Sequence, residues 1–387
     1  MKVKPAQRIQ SVEEYYFSKK LQEIAALRKA GKDIINLGIG SPDLPPATEV
    51  VQALQQNCQQ INVHGYQSYR GSPALRCAFA EWYDRYFNVS LNPQTQILPL
   101  MGSKEGIMHL SMSFLEAGDQ VLVPDPGYPA YAATAKLAGA TVRTYALKAA
   151  HNWLPDLVSL EQEGLSKVKI MWLNYPHMPT GATASHTDFS ALIQFAQKHK
   201  ILLCHDNPYA FILNDRPCSI LEIPGALDCC VELNSLSKSH AMAGWRIGML
   251  AASETIIQQV LKFKSNMDSG MYLPLQLAAI AALQLPPSWY EKQNQIYQQR
   301  KEKALELFDH LGLSYESRQK GMFIWGKINP KYGNGYDYSN QLLYQANIFL
   351  TPGGIFGKQG ENYLRVSLCS SVEVFKKSIQ TVEAVLK

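Results

Sequence analysis

The sequence predicts an α/β fold, with a large domain on a mostly parallel sheet between helices and a smaller α+β domain after it. Two patterns lead there. From about residue 47 to 260, short apolar runs alternate with helical patterns, as in a parallel sheet buried on both faces. From about residue 286 the pattern becomes a helix, then strands (322–327 and 363–368), then a closing helix. A chain of 387 residues is also too long for one simple core. The expected pieces are an N-terminal helix and extended segment over 1–46, a large domain over 47–285 and a small domain over 286–387.

The first helical pattern covers 12–31 through Val12, Tyr15, Tyr16, Leu21, Ile24 and Leu27, and leads into the extended stretch Ile34 to Pro42. The sheet runs are Gln96 to Leu100, Gln120 to Val123, Val168 to Leu173, Ile201 to His205 and Cys230 to Leu233. The tract Tyr272 to Leu285 carries proline and glutamine and is short for a membrane span, so it reads as a core helix.

Composition narrows the function classes. Hydrophobic residues make up 46% and charged residues 18%, as in a well-packed globular protein. The formal charge of +5 comes without a dense Lys/Arg block, which argues against nucleic acid or an anionic membrane as partner. Met1 to Val12 has no apolar core of a signal peptide. Seven cysteines without a Cys-x-x-Cys pair argue against a disulfide framework or a zinc knuckle, so no metal site is expected and a reducing cytoplasm fits. Cys229 and Cys230 are expected as buried thiols inside a strand.

In open α/β sheets, ligands gather beyond the carboxyl ends of the strands. The candidates are therefore Met101-Gly102-Ser103-Lys104, Pro124 to Tyr128, Asn174-Tyr175-Pro176, Asp206 to Tyr209, and Ser235 to Lys238. Gly102 to Gly106 follows a strand and opens a helical pattern, whose free N–H groups and dipole suit a phosphate. Alone, such a turn is more often simply tight, and the Walker pattern is absent. Asp206 can pair with a pyridinium nitrogen, or be a solvated loop aspartate or helix cap. Tyr209 can donate to a phenolate oxygen, and Tyr128 can lay its ring on a pyridine face, although an aromatic at one strand end is more often packing. Lys238 lies in Ser235-Leu236-Ser237-Lys238-Ser239-His240, with Arg246 eight residues on. A lysine there can form a Schiff base with an aldehyde while Ser235, Ser237 and Arg246 hold a phosphate. A lone lysine in a Ser-rich loop is more often an ordinary surface residue. With its companions, Lys238 describes a seat for pyridoxal 5′-phosphate.

Over nearly its full length the chain resembles the class I/II aminotransferases of the fold-type I pyridoxal-phosphate family. The resemblance rests on Asn36 to Asp43, Gly65-Tyr66 with Gly71 and Leu75-Arg76, Gly102 to Gly106, and Pro124 to Pro129. It continues through Asn174 with Pro179-Thr180-Gly181, Asp206 to Tyr209, Ser235 to Arg246, and Tyr363 to Val366. The texture around Gly102 to Gly106, Asn266 to Gly270 and Pro352 to Gly357 is similar to the diaminopimelate or aspartate aminotransferase branch. The resemblance implies transfer of an amino group between an L-amino acid and a 2-oxo acid. Lys238 would carry the cofactor as an internal aldimine, then shuttle the α-proton as base and acid. Gly102, Ser103, Lys104, Tyr128, Asn174, Asp206, Tyr209, Ser235, Ser237 and Arg246 would bind the cofactor. Arg365 would clamp the substrate α-carboxylate, and Gly38 would let backbone approach it. Tyr66 would reach the phosphate in a neighbouring subunit, so a homodimer with shared active sites is implied, with the N-terminal helix across the partner.

The family has asparagine just before Pro-Thr-Gly, bonded to the phenolate oxygen; here Met178 stands there, and a thioether donates no hydrogen bond. The phenolate is then left to Tyr209, and the aldimine pKa is expected to rise. His177 is expected to line the cleft without replacing the missing donor. No second cation for a distal carboxylate is assignable over Asn266 to Leu273, where Asp268 is the nearest charge; Lys104 and the other subunit remain candidates. Two alternatives stay open: a cysteine-sulfur β-lyase on the same fold, and a ligand-sensing aminotransferase-like module, although the pattern already starts by residue 15. A dinucleotide-binding oxidoreductase, suggested by Gly38-Ile39-Gly40, lacks the third glycine.

Overall fold

The computed structural model describes residues 3–14 and 16–385. Its strands are β1 (Ile35–Asn36), β2 (Ile97–Leu100), β3 (Gln120–Asp125), β4 (Thr141–Ala146), β5 (Val168–Leu173), β6 (Leu202–Asp206) and β7 (Cys230–Ser235). They continue as β8 (Gly248–Ala252), β9 (Ser314–Tyr315), β10 (Phe323–Lys327), β11 (Ile348–Phe349), β12 (Thr351–Pro352) and β13 (Tyr363–Ser367). Seven of the described strands form one sheet in the order β2-β8-β7-β6-β5-β3-β4. Strands β3 to β7 pair in parallel, while β8 runs antiparallel to both β7 and β2.

Side chains on this sheet alternate between two cores, as the pleat requires. Leu122, Met171 and Met249 face one core with Phe79 and Trp82 of the helix Pro73–Phe87. Val121, Val123, Ile170, Trp172 and Leu250 face the other, with Ile107 and Leu110 of the helix Ser103–Phe114. The sheet is therefore buried on both faces, as the apolar runs predict. The tract over Tyr272 to Leu285 forms the helix Leu273–Leu283. Among the described residues no helix is long and apolar enough to cross a membrane.

A second sheet, β12-β13-β10-β9, is antiparallel. It packs with the helices Pro287–His310 and Val372–Val385 through residues such as Phe308, Ile324, Val366 and Phe375. Strand β1 pairs with β11, which ties the N-terminal segment to this second sheet's neighbourhood. The first α-helix, α1, spans Tyr16–Lys29 and is shorter than the predicted 12–31. Val12 lies outside it, beyond the 3₁₀ turn Gln7–Ser11, and Gly31 takes a left-handed φ of 83° that closes its other end. Tyr15, counted in that pattern, lies outside the described residues. Cys230 is buried in β7, but Cys229 is half-buried and precedes the strand.

Candidate active site

The carboxyl edge of the large sheet collects the candidates. Gly102 follows β2, Tyr128 lies three residues beyond β3, Asn174 follows β5, Asp206 ends β6 and Ser235 ends β7. Because β8 is reversed, Arg246 enters it from this same edge. A cavity of about 580 Å³ opens there, lined among others by Ser103, Lys104, Tyr128, Asn174, Asp206, Tyr209, Ser235, Ser237, Lys238, Arg246 and Arg365.

At one end, Gly102 caps the helix Ser103–Phe114 with φ 85°, a conformation that glycine adopts without strain. A Cβ at Gly102 would stand 2.2 Å from the Arg246 guanidinium. That guanidinium donates to the carbonyls of Ala243 at 2.9 Å and Met101 at 3.4 Å. Ser235 caps the short turn Leu236–Ser239, and its hydroxyl donates to Ser237 Oγ at 2.8 Å. Hydroxyls, helix N–H groups and an arginine thus converge, which suits a phosphate dianion. Gly102→Ala is expected to displace Arg246 and weaken retention of pyridoxal 5′-phosphate at least about tenfold, one charge-assisted hydrogen bond being worth that much. Equilibrium dialysis against the cofactor measures it.

Asp206 is 4% exposed. Its Oδ2 accepts from Tyr131 at 2.9 Å, while Oδ1 is buried with no hydrogen-bond partner among the described residues. Burial pushes its pKa up to about 6, against the hydrogen bond from Tyr131 and the positive influence of His205. Tyr131 in turn stacks on Trp172 at 4.7 Å with ring planes 4° apart, and meets Tyr128 edge-on at 5.5 Å. Tyr131 went unrecognised in the sequence, although it stands three residues after Tyr128 at a helix start, where the two share a face. His205, one residue back on the opposite face of β6, bonds Glu232 at 2.8 Å in a fully buried pair.

Lys238 is half-buried, and its Nζ donates to the Gly40 carbonyl at 2.5 Å. Burial lowers its pKa from the usual lysine value, with Arg365 and Arg246 adding repulsion. Across the cavity, Arg365 is 4% exposed. It donates to the Gly38 carbonyl at 2.8 Å and points Nη1 at the Met178 sulfur, 3.3 Å away. The rings of Phe323, Phe356 and Phe17 lie 3.9, 4.7 and 5.6 Å from its guanidinium carbon. Tyr209 lies edge-on to Phe323 at 5.8 Å, with its hydroxyl pKa raised by burial.

Several residues sit otherwise than anticipated. His177 does not line the cleft; it is buried, with Nδ1 2.8 Å from the Thr180 hydroxyl. The Asn174 side chain lines the cavity yet donates to the Asp206 carbonyl and accepts from the Met178 N–H, so both its ends brace the walls. Gly38 is packed behind Ile39, Gly40 and Ser41, which are the residues of that segment on the cavity wall. Its N–H donates to Asn36, and a Cβ there would stand 2.4 Å from the Phe349 ring. Tyr66 is 93% exposed beside Gly270 and Tyr272, outside this cavity. Asp268 holds Lys264 at 2.7 Å beside Glu105 and His109; these three ligating residues could group around a cation, but the ammonium already occupies the carboxylate.

A family model described as aminotransferase class I and II matches residues 32–380. The chain belongs to the class I and II aminotransferases. This aminotransferase is 40% identical to an LL-diaminopimelate aminotransferase of Dehalococcoides mccartyi over 97% of both chains. It is 38% identical to one from Aquifex aeolicus, over 91% of this chain and 92% of the relative. Among solved structures it is similar to substrate-bound BacF from Bacillus subtilis, with a TM-score of 0.94, 34% identity, and coverage of 99% and 98%. The fold is fold-type I, and the enzyme is a pyridoxal-phosphate-dependent transaminase that moves an amino group between an amino acid and a 2-oxo acid. The lyase and ligand-sensing alternatives are not favoured by these relatives. The residues present fit the cofactor: an unpartnered, buried carboxylate oxygen for a ring N–H, a cradle at Gly102 and Arg246 for phosphate, and a lysine amine between them.

Proposed function

We propose that Lys238 is the lysine that carries the cofactor in this aminotransferase, and that Asp206, Arg246 and Arg365 divide the remaining work. The carrying observation is the single cavity in which a half-buried amine stands among one buried carboxylate and two arginines. Pyridoxal 5′-phosphate, when bound, supplies an aldehyde to receive the amino group and a ring that withdraws electrons from the substrate α-carbon. Asp206 Oδ1 would accept from the ring nitrogen, held in place by the Tyr131 hydroxyl on Oδ2. Gly102, Ser103, Lys104, Ser235, Ser237 and Arg246 would seat the phosphate, Tyr128 would bound the ring face, and Tyr209 would donate to the phenolate oxygen. Lys238 Nζ, its basicity softened by burial, would take the proton from the α-carbon and return it. Arg365 would take the α-carboxylate, with Gly38 shaping the backbone behind it.

The chain is read as three pieces, 1–46, 47–285 and 286–387, and as one subunit of a homodimer. Tyr66, exposed beside Gly270, is free of this chain's own cavity and supports a role in a partner's site. The diaminopimelate aminotransferase relatives make LL-diaminopimelate a donor to test, and a reducing cytoplasm suits the seven free cysteines.

The test is spectroscopic. Adding an amino donor should convert the bound cofactor's absorption to that of pyridoxamine phosphate, and no change with any common amino acid or with LL-diaminopimelate would sink the reading. The Asp206 role has its own pH signature. A carboxyl raised from 3.8 to about 6 is protonated below that range, so its ionised form, needed to hold a cationic ring, appears as pH rises through about 6. Cofactor affinity should therefore climb across pH 5 to 7. The phosphate titrates near the same pH, so the comparison is with Asp206→Asn: it should bind more weakly at pH 7 and show a shallower climb. Identical profiles would remove Asp206 from the ring nitrogen.

A further inference from the structure

We propose that Asp125 is a positioning residue for the substrate carboxylate, pinning the segment 353–360 so that Phe356 stays against Arg365. The proposal rests on reading Arg365 as the carboxylate clamp of this transaminase. Asp125 lies outside the wall of the cavity that holds Arg365, so it acts through its neighbours.

Asp125 ends β3, three residues before Tyr128. The run Pro124 to Pro129 gives Tyr128 to the ring face and leaves Asp125 without a part in the chemistry. Asp125 is 8% exposed, and its Oδ1 accepts from the Gln359 N–H at 2.9 Å. Burial raises its pKa, against the lowering from the backbone N–H groups of Gln359 and Lys358. A carboxylate is buried at a cost unless such donors meet it. Two residues on, the Gly127 N–H donates to the Phe356 carbonyl at 2.8 Å. The turn after β3 therefore grips the distant segment at two points, on either side of Gly357. Gly357 has φ 136°, and a Cβ there would stand 2.1 Å from Asp125 Oδ1, so glycine is what admits the carboxylate.

The gripped segment has little stiffness of its own. Gly353, Gly354, Gly357 and Gly360 are half of its residues, and glycine gives up the most conformational freedom on ordering. It forms the loop between β12 and β13, whose pairing holds Thr351 opposite Arg365. The two bonds from the turn after β3 hold its tip. Phe356 is buried there, with its ring 4.7 Å from the Arg365 guanidinium carbon and edge-on to Trp325 at 6.1 Å. A loop freed at its tip lets that ring swing away. The guanidinium then loses one of the surfaces that fix its plane.

The experiment runs a donor series, the common amino acids and LL-diaminopimelate, through the half-reaction of the purified holoenzyme, followed in the cofactor's absorption. With the most reactive donor, Asp125→Ala is expected to raise KM about tenfold, the worth of one hydrogen bond to a charged group, while kcat changes by less than about threefold. Cofactor affinity by equilibrium dialysis should stay at the wild-type value. Asp125→Asn keeps a side-chain oxygen for the Gln359 N–H and should recover most of the loss. Gln359→Pro removes that N–H instead and should raise KM in the same way, which keeps the proposal open to refutation if alanine at 125 fails to fold. Asp125→Ala and Phe356→Ala should be non-additive in KM, as for two residues that act through one contact. An unchanged KM in Asp125→Ala or, where that variant fails to fold, in Gln359→Pro overturns the proposal, even if the melting temperature falls. So does a loss carried by kcat, or full additivity with Phe356→Ala. If no donor reacts with the wild type, or borohydride leaves no pyridoxyl group on Lys238, the underlying site assignment fails, an outcome separate from any ranking of these variants.

Discussion

Lys238→Ala is expected to lose at least about 10³-fold in transamination turnover while the protein stays folded. The magnitude is that of removing a positioned acid–base group, which contributes about 10² to 10⁴, together with the covalent attachment point. The fold should survive because Lys238 is half-buried on a short turn and its amine donates to the Gly40 carbonyl, a backbone acceptor outside both cores. Borohydride reduction followed by peptide mass spectrometry should find the pyridoxyl group on Lys238 in the wild type and none at residue 238 in the variant. An active Lys238→Ala enzyme would refute the central assignment. Circular dichroism matching the wild type separates lost chemistry from lost folding.

Arg365→Ala should lower kcat/KM by about 10² to 10³, since two hydrogen bonds to a charged group are worth roughly 3 kcal/mol or more. The loss should fall mainly on KM. Arg365→Lys should restore little of it. The guanidinium is a planar group, with Phe323 at 3.9 Å and Phe356 at 4.7 Å from its central carbon. An ammonium keeps the charge but neither the fork nor the stacking surface. An unchanged kcat/KM in the alanine variant would take Arg365 out of the site. The half-reaction absorbance used for the donor series serves here too.

Much of this site is legible in the sequence because parallel strands buried on both faces write themselves as unbroken apolar runs. The ends of β5, β6 and β7 can be read within a residue or two, and Asn174, Asp206 and Ser235 follow from them. The edge strand β4, Thr-Val-Arg-Thr-Tyr-Ala, is partly exposed and mixes polar with apolar residues, so it leaves no such run. The reversal of β8 is invisible in sequence, since an apolar run carries no direction. Arg246 lands at the correct edge because of that reversal. Tyr131 had a local signal in its spacing from Tyr128. Phe17 and Leu21 had none, because α1 reaches the cavity only after β1 has paired with β11, more than three hundred residues away in the chain. His177 turns from the cleft for a local reason, the Thr180 hydroxyl three residues on.

The two carbonyls of the segment after β1 give the resting site a particular thermodynamic character. Gly40 holds the amine of Lys238 and Gly38 holds the guanidinium of Arg365, so both cations already have a neutral acceptor. These carbonyls are placeholders, and a substrate carboxylate at Arg365 takes over or shares a bond that exists beforehand. Affinity there is then an exchange between acceptors, the difference between a charged and a neutral partner, about 1–2 kcal/mol per bond. Such a site offers its occupants an exchange of partners, and it gives the half-buried Lys238 amine and the buried Arg365 guanidinium an acceptor before substrate arrives.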